Sequence, residues 1–343
     1  PQTPNPKPQT PNPKPQKYFL AFCAHENINL PMLCAVLTVI GVYIAARALY
    51  GIYRIVEEIY ILKEFNLIER YGKGSWAAIT GCTDGIGLEF AIQLAKRGFN
   101  IVMLARNREK MNEKEELIKR ANPNVQVMKL LIDFQQSGDE TKLERIVEQL
   151  KEVDVSVLVN NVGIGTDNTP LLDMDMQRAL DMIVVNCIPQ TVLTQLFMPK
   201  FEQRAFKSAI VDLSSVASLI SFPGKEIYSA TKYFNKSLSN SFSMITTPGK
   251  IDFIALKPGF VTTPLTHNRP EDFITCNTAE CVNGTLKALG HKRETFGSTK
   301  HVLFGAFLEL FSFVVPFDIL FKYRDFLYSI VKYKAFDNAK IAK

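Results

Sequence analysis

The stretch SWAAITGCTDGIG, residues 75–87, decides how the surrounding chain is read. SWAAIT is an apolar run of strand length that breaks into a turn carrying Gly81, Gly85 and Gly87, and a helix-like segment follows at once. Gly81 permits the tight turn. Gly85 and Gly87 let the backbone come close to a pyrophosphate at the helix N-terminus, where unpaired N–H groups and the helix dipole favour negative charge. The spacing is GxxxGxG rather than GxGxxG. Many Gly-rich strand-to-helix turns are purely structural, so this turn carries weight only in company.

Working outward, the pattern repeats. NIVMLA (100–105), VQVMKLLI (125–132), VSVLVN (155–160), SAIVDLS (208–214) and IDFIAL (251–256) read as strands, several of them apolar throughout. Between and after them, 86–97, 108–121, 139–151, 176–204 and 228–245 read as helices. Strands alternating with helices predict an α/β fold, a doubly wound parallel sheet of Rossmann type covered on both faces. With 343 residues, 47% of them hydrophobic, the chain can build such a core.

The second strand ends in LARNR, which places Arg106 nineteen residues after Gly87 with no acid nearby. An acid there would hold the free ribose hydroxyls of NAD, whereas an arginine suits the 2′-phosphate of NADP. The expected cofactor is therefore NADP(H), held by Arg106 with Arg108 behind it; the plainer reading is surface charge at a helix start. Further on, EIYSATKYFN (226–235) sets Tyr228 and Lys232 four residues apart, on one face of a helix. A phenol normally ionises near pH ~10, and a neighbouring ammonium favours its charged form. Such a pair can exchange a proton with a substrate oxygen near neutrality. Taken alone, it would be an ordinary surface pair.

TGCTDGIG, NNVG (160–163), Asn186, Ser215 and YSATK, in this order, make the chain resemble the short-chain dehydrogenase/reductase family over about residues 75–265. The resemblance implies that Tyr228 donates a proton to a carbonyl oxygen as hydride arrives from NADPH. Lys232 would lower the Tyr228 pKa and hold the nicotinamide ribose. Ser215, thirteen residues before Tyr228, would bond the same oxygen in preference to its neighbour Ser214. Asn186 would hold a water that feeds protons through Lys232. It also implies cofactor contacts from Gly81, Thr83, Asp84, Gly85, Ile86 and Gly87 of the turn, and from Arg106, Asp133, Asn160, Tyr228 and Lys232. PGFVTT (258–263) matches the segment beside the nicotinamide carboxamide, with Pro258, Val261 and Thr263 as its contacts.

TDGIG, NNVG and an apolar segment ahead of YGKGSWAAITG are similar to a membrane-bound branch of that family, the very-long-chain 3-oxoacyl-CoA reductases of fatty-acid elongation, also called type 12 17-beta-hydroxysteroid dehydrogenases. This implies an endoplasmic reticulum membrane protein with its catalytic domain facing the cytosol, acting on a lipophilic carbonyl substrate, either a long-chain 3-oxoacyl-CoA or a steroid. It also implies a homodimer joined through the helices around 176–204 and 228–245. A non-catalytic scaffold of the same fold is the reading from another class. Lys257, at the end of an otherwise apolar strand, is unusual for the branch.

Outside the reductase core (75–300), residues 1–26 begin with PQTPNPK twice and read as a proline-rich disordered arm. The first residue is Pro rather than Met, which leaves the true N-terminus open. Residues 27–46 carry no charge and, at ~1.5 Å each, span roughly 30 Å, enough for a transmembrane anchor. A signal peptide and a buried helix are the competing readings. Residues 47–74 read as a connector, and 264–275 as a mobile substrate loop. Residues 301–343 read as an apolar, then basic, membrane-associated extension, in which Glu309 and Asp318 disfavour a full span at ~2.5–3.5 kcal/mol each. The six cysteines form no CxxC pair and the four histidines no cluster, so no metal site is expected. The net charge of +6 is dispersed, with no basic stripe for nucleic acid.

Overall fold

The computed structural model describes residues 30–165, 169, 171–220 and 224–314. The proline-rich arm, the first three residues of the expected anchor and the chain beyond 314, with Pro316, Asp318 and the basic segment, lie outside the described residues. The chain divides into a unit up to Arg54 and a second unit from Ile55 onward. In the first, helix α1 (Leu30–Val56) has no buried side chain. With the π-helical turn that follows, Leu30–Ile61 is a candidate membrane span by length and composition. The helix runs ten residues past the end expected from the uncharged segment, because Arg47 and Arg54 do not interrupt helix geometry.

The second unit is built on strands β1 (Trp76–Thr80), β2 (Asn100–Ala105), β3 (Val127–Leu131), β4 (Val155–Asn160), β5 (Ser208–Leu213) and β6 (Ile251–Leu256). They pair in parallel in the order β3-β2-β1-β4-β5-β6, and a two-residue strand, Glu294–Thr295, extends the sheet beside β6. Helices α3 (Gly85–Lys96), α4 (Arg108–Ala121), α5 (Glu140–Gln149), α6 (Met176–Gln203), α7 (Glu226–Ile245), α8 (Thr278–Ala288) and α9 (Thr299–Val314) complete it; a short helix, α2 (Leu67–Tyr71), comes before β1. Successive strand residues serve opposite faces. Ala77, Ile79, Ile101 and Met103 pack with Phe90, Leu94 and Leu286 on one side. Ala78, Val102, Leu104 and Leu158 pack with Leu143, Phe197 and Phe201 on the other. Two covered faces are why these strands are apolar throughout.

The segment read as a connector belongs in part to this body. Leu67 and Tyr71 are buried in the first core. Arg70 Nε stands 2.7 Å from Asp252 Oδ2, and the Tyr71 hydroxyl donates to the same oxygen at 2.9 Å. Lys257 is also accounted for. Its side chain is 3% exposed, its ammonium lies 2.7 Å from Glu294 and 3.1 Å from Glu309, and it sits 4.3 Å over the Phe296 ring. Glu309 therefore serves an ion pair to the end of β6, and Val302 and Leu308 of α9 are buried beside Phe296. Within α9, Phe304 is partly buried while Phe307 is exposed.

One buried acid in the sheet gives this fold a pH dependence. Asp212 on β5 accepts a hydrogen bond from Asn160 Nδ2 at 2.8 Å, and burial pushes its pKa up to about 6. A folded pKa above the unfolded one favours the protonated fold, so the cost is absent at low pH and grows as pH rises through about 6. Asp212→Asn is expected to raise the melting temperature at pH 7.5, by a stabilisation of up to ~3 kcal/mol at ~1.4 kcal/mol per unit. The gain should shrink toward zero near pH ~4, where an unfolded Asp also protonates. Thermal melts of both proteins across this range check it.

Candidate active site

The strand order reverses between β1 and β4, since each runs on to strands on opposite sides. In such sheets the crevice beyond the C-terminal ends of those two strands is where ligands bind. Here the two ends are tied directly. Thr80 Oγ1 accepts from the backbone N–H groups of Asn161 (2.8 Å) and Val162 (2.9 Å). The Asn161 amide donates to the carbonyls of Thr80 (2.8 Å) and Gly81 (3.1 Å).

Glycine makes this closeness possible. Gly81 and Gly85 have φ of 64° and 52°, a region that disfavours side chains. A Cβ on Gly87 would fall 2.3 Å from Asn161 Nδ2 and 2.4 Å from the Gly81 carbonyl. A Cβ on Gly85 would lie 3.0 Å from Thr263 Cγ2. Asp84 caps α3 by accepting from the Gly85 N–H at 3.0 Å. The turn is thus a backbone-lined cradle that opens onto a cleft.

One cleft is lined by Gly81, Asp84, Gly85, Ile86, Ser215, Tyr228, Lys232, Pro258, Val261 and Thr263. Ten of the residues expected from sequence therefore share a single wall. Thr83 does not reach the lining, and Gly87 acts through the turn geometry. Arg106 and Asp133 lie just past β2 and β3, whose ends pair at Ala105 and Leu131. Arg106 donates to Gln135 at 3.2 Å, and Asp133 accepts from the Gln135 N–H at 3.1 Å. Asn160 is the misplaced residue. As the last residue of β4 it turns into the interior, where its amide donates to Thr194 (3.0 Å) and Asp212 (2.8 Å). Its neighbour Asn161 lines the cleft instead. NNVG offers two asparagines, and only the strand end and its alternation tell them apart.

The four residues expected to carry the chemistry are gathered by α6, α7 and the chain after β5. Asn186 on α6 is buried; its Oδ1 accepts from the Ile164 N–H at 2.8 Å, and its amide donates to Thr231 of α7 at 3.0 Å. A Cβ on Gly163 would be 3.2 Å from Asn186 Oδ1 and 3.3 Å from Lys232 Nζ, so both polar atoms converge on this glycine. Lys232 Nζ donates to the Leu213 carbonyl at 2.9 Å, and the Asn235 amide supports the same oxygen at 3.2 Å. The two adjacent serines divide their tasks. Both line the cleft with Tyr228; Ser214 Oγ donates to the Lys232 carbonyl at 2.7 Å, a structural tie, while Ser215 Oγ accepts from the Ala217 N–H at 3.1 Å and keeps its own proton to donate.

Burial dominates the titration of this group. It pushes Lys232 down to about 8. Tyr228 is raised above its ordinary value, again by burial, with Ser215 pulling the other way. The expected lowering of Tyr228 by Lys232 is not seen in this state: the ammonium bonds to Leu213 and lies 5.8 Å from the centre of the Tyr228 ring. The segment after β6 forms a small parallel pair, Phe260–Val261 with Thr275–Cys276, and Leu265 between them reaches the cleft.

A Gly-rich cradle at the sheet's reversal point beside a Tyr, Lys, Ser and Asn cluster is the layout of a nucleotide-dependent oxidoreductase. Residues 75–273 match the short chain dehydrogenase family, and the chain belongs to that family. It is 30% identical over 257 residues to a very-long-chain 3-oxoacyl-CoA reductase of Coccidioides immitis, covering 75% of this chain and 73% of the relative. It is 28% identical to putative steroid dehydrogenase 1 of Caenorhabditis elegans, covering 77% of this chain and 85% of the relative. Among solved structures, a short-chain dehydrogenase from Sphingobium yanoikuyae in complex with NADPH shares the fold, with a TM-score of 0.58 and 24% identity over 71% of this chain and 97% of that one.

Gly87→Ala tests the cradle. The added methyl meets a backbone carbonyl and the Asn161 amide, so the turn must open. The expected result is a loss of ~1–3 kcal/mol in stability and weakened dinucleotide binding, read by thermal melts and fluorescence titration.

Proposed function

We propose that this protein is a membrane-anchored reductase that uses NADPH to convert a long-chain 3-oxoacyl-CoA to the 3-hydroxyacyl-CoA. The observation that carries the proposal is the convergence of Ser215, Tyr228 and Lys232 on one cleft, with Asn186 directly behind Lys232. When bound, NADPH supplies the hydride. The Gly81–Gly87 turn would hold the pyrophosphate at the N-terminus of α3, and Arg106 would pair with the 2′-phosphate. Tyr228 and Ser215 bond the substrate carbonyl oxygen, where negative charge builds up in the transition state. Tyr228 hands its proton to that oxygen, and its raised pKa keeps the proton in place at neutral pH. Lys232, through its remaining N–H groups, would hold the nicotinamide ribose and return a proton to Tyr228. Asn186 orients the route behind it.

The acyl-CoA assignment draws on the relatives of that name and on apolar lining from Leu213 and Leu265. A steroid oxidoreductase is the second reading, favoured by the putative steroid dehydrogenase among the relatives. The apolar surface of α1, with no buried side chain, supports insertion in a membrane, taken here as that of the endoplasmic reticulum with the catalytic unit in the cytosol. Exposed Leu180 and Ile183 on α6, and Tyr233 and Phe234 on α7, leave surface that a second copy would cover in a homodimer.

NADPH consumption by the detergent-solubilised protein, with a long 3-oxoacyl-CoA set against a 17-ketosteroid, tests the reading. Acyl-CoA turnover is expected, reduced ~10²–10⁴-fold in Tyr228→Phe. Steroid turnover alone would move the protein to the second reading, and turnover of neither would count against both. The reduction rate should fall as pH rises through about 8, where Lys232 loses its proton. Arg106→Asp should weaken NADPH about tenfold, ~1.4 kcal/mol, while NADH is little affected; paired titrations with the two cofactors check this.

A further inference from the structure

Beyond the end of β6, three side chains converge that the proposed chemistry does not use. Cys276 pairs with Val261 in the small parallel sheet, Cys281 is on α8, and His301 is on the first turn of α9. All three are fully buried. One ligand-type atom from each, two sulfurs and an imidazole nitrogen, lie within 4.8 Å of one another. Cys276 Sγ stands 3.6 Å from His301 Nδ1. A sulfur at ~2.3 Å and a nitrogen at ~2.0–2.1 Å from one ion, at a tetrahedral angle, are themselves about 3.6 Å apart.

The imidazole is oriented as a ligand would be. Its Nε2 lies 3.0 Å from the Phe260 carbonyl and 3.2 Å from that of Ile274, both acceptors, so the proton resides on Nε2 and the Nδ1 lone pair faces Cys276. A ring N–H held by a backbone carbonyl is the usual outer support of a metal-bound histidine. Two glycines allow the approach. A Cβ on Gly259 would be 2.8 Å from the His301 ring, and one on Gly297 would be 3.1 Å from Cys281 Sγ. Sequence alone hides the set, because its spacing, four residues between the cysteines and nineteen more before the histidine, matches no familiar ligand motif.

We infer that Cys276, Cys281 and His301 bind a thiophilic d¹⁰ cation, Zn²⁺ or Cu⁺, with two thiolate sulfurs and His301 Nδ1 as protein ligands. Both ions prefer this donor set. Zn²⁺ takes a fourth, exogenous ligand in a tetrahedron, and Cu⁺ is satisfied by three. Each thiol gives up its proton to solvent on binding, and the buried site fills as the chain folds. The ion joins three separate segments. One of them, the Thr275–Cys276 strand, pairs with β7 (Phe260–Val261), whose Val261 lines the cleft, so the ion ties that wall to α8 and α9.

The test uses the full chain, produced in zinc- or copper-supplemented medium and purified in detergent with a phosphine reductant and no chelator. Metal content by mass spectrometry should approach about one ion per chain; which ion is retained separates Zn²⁺ from Cu⁺. Cys276→Ser with Cys281→Ser should lose at least tenfold of that content, while Cys82→Ser, at a buried cysteine of the turn after β1, retains it. Refolding with Co²⁺ in place of the native ion should give thiolate-to-metal charge-transfer absorption that the double variant lacks. Metal-free wild-type protein that also shows no such absorption with Co²⁺ would overturn the inference. So would metal content unchanged in the double variant, the result a merely hydrogen-bonded buried thiol pair predicts.

Discussion

The double tie between Thr80 and Asn161 is the constraint on which the site depends. It joins the ends of the two strands where the sheet changes direction, and every bond in it runs through backbone on at least one side. With β1 and β4 held together, the Gly81 turn cannot drift from the chain that leads to Gly163. Gly163 in turn is the surface against which Asn186 and Lys232 are set. The cradle and the polar cluster therefore share one reference point, though their residues come from elements far apart in sequence.

Lys232 shows how the packing serves chemistry. An ammonium that is 4% exposed is costly to bury without partners. Among the described residues its protein hydrogen bond is to the Leu213 carbonyl, and the rest of its bonding capacity faces the cleft. Burial thus keeps its pKa near the working range and leaves donors for a ligand. Ser214, by holding the Lys232 backbone, frees Ser215 for the cleft. Two adjacent serines of identical chemistry, both at the cleft, acquire different tasks from the partners they bond.

Most of this was legible in sequence because the signals are periodic or tightly spaced. The six main strands were marked by apolar runs that two covered faces require, and the glycine positions by steric need. Elements of two residues, such as Glu294–Thr295, are too short to generate a pattern. Asn160 and Asn161 are chemically identical, and their roles separate only once the strand end is known. Leu67, Tyr71 and Lys257 were obscure for another reason: their partners, Asp252, Glu294 and Glu309, lie far along the chain. Long-range pairing of this kind leaves no local trace.

The Lys257–Glu309 pair makes α9 a lever on the sheet. Lys257 precedes Pro258, which lines the cleft, and Glu309 lies near the last described turn of the helix. If α9 tilts, it must either draw the end of β6 along or leave the buried Lys257 ammonium to Glu294 alone. The position of α9 and the end of β6 beside the cleft are thereby set together, so a substitution in either is felt by both.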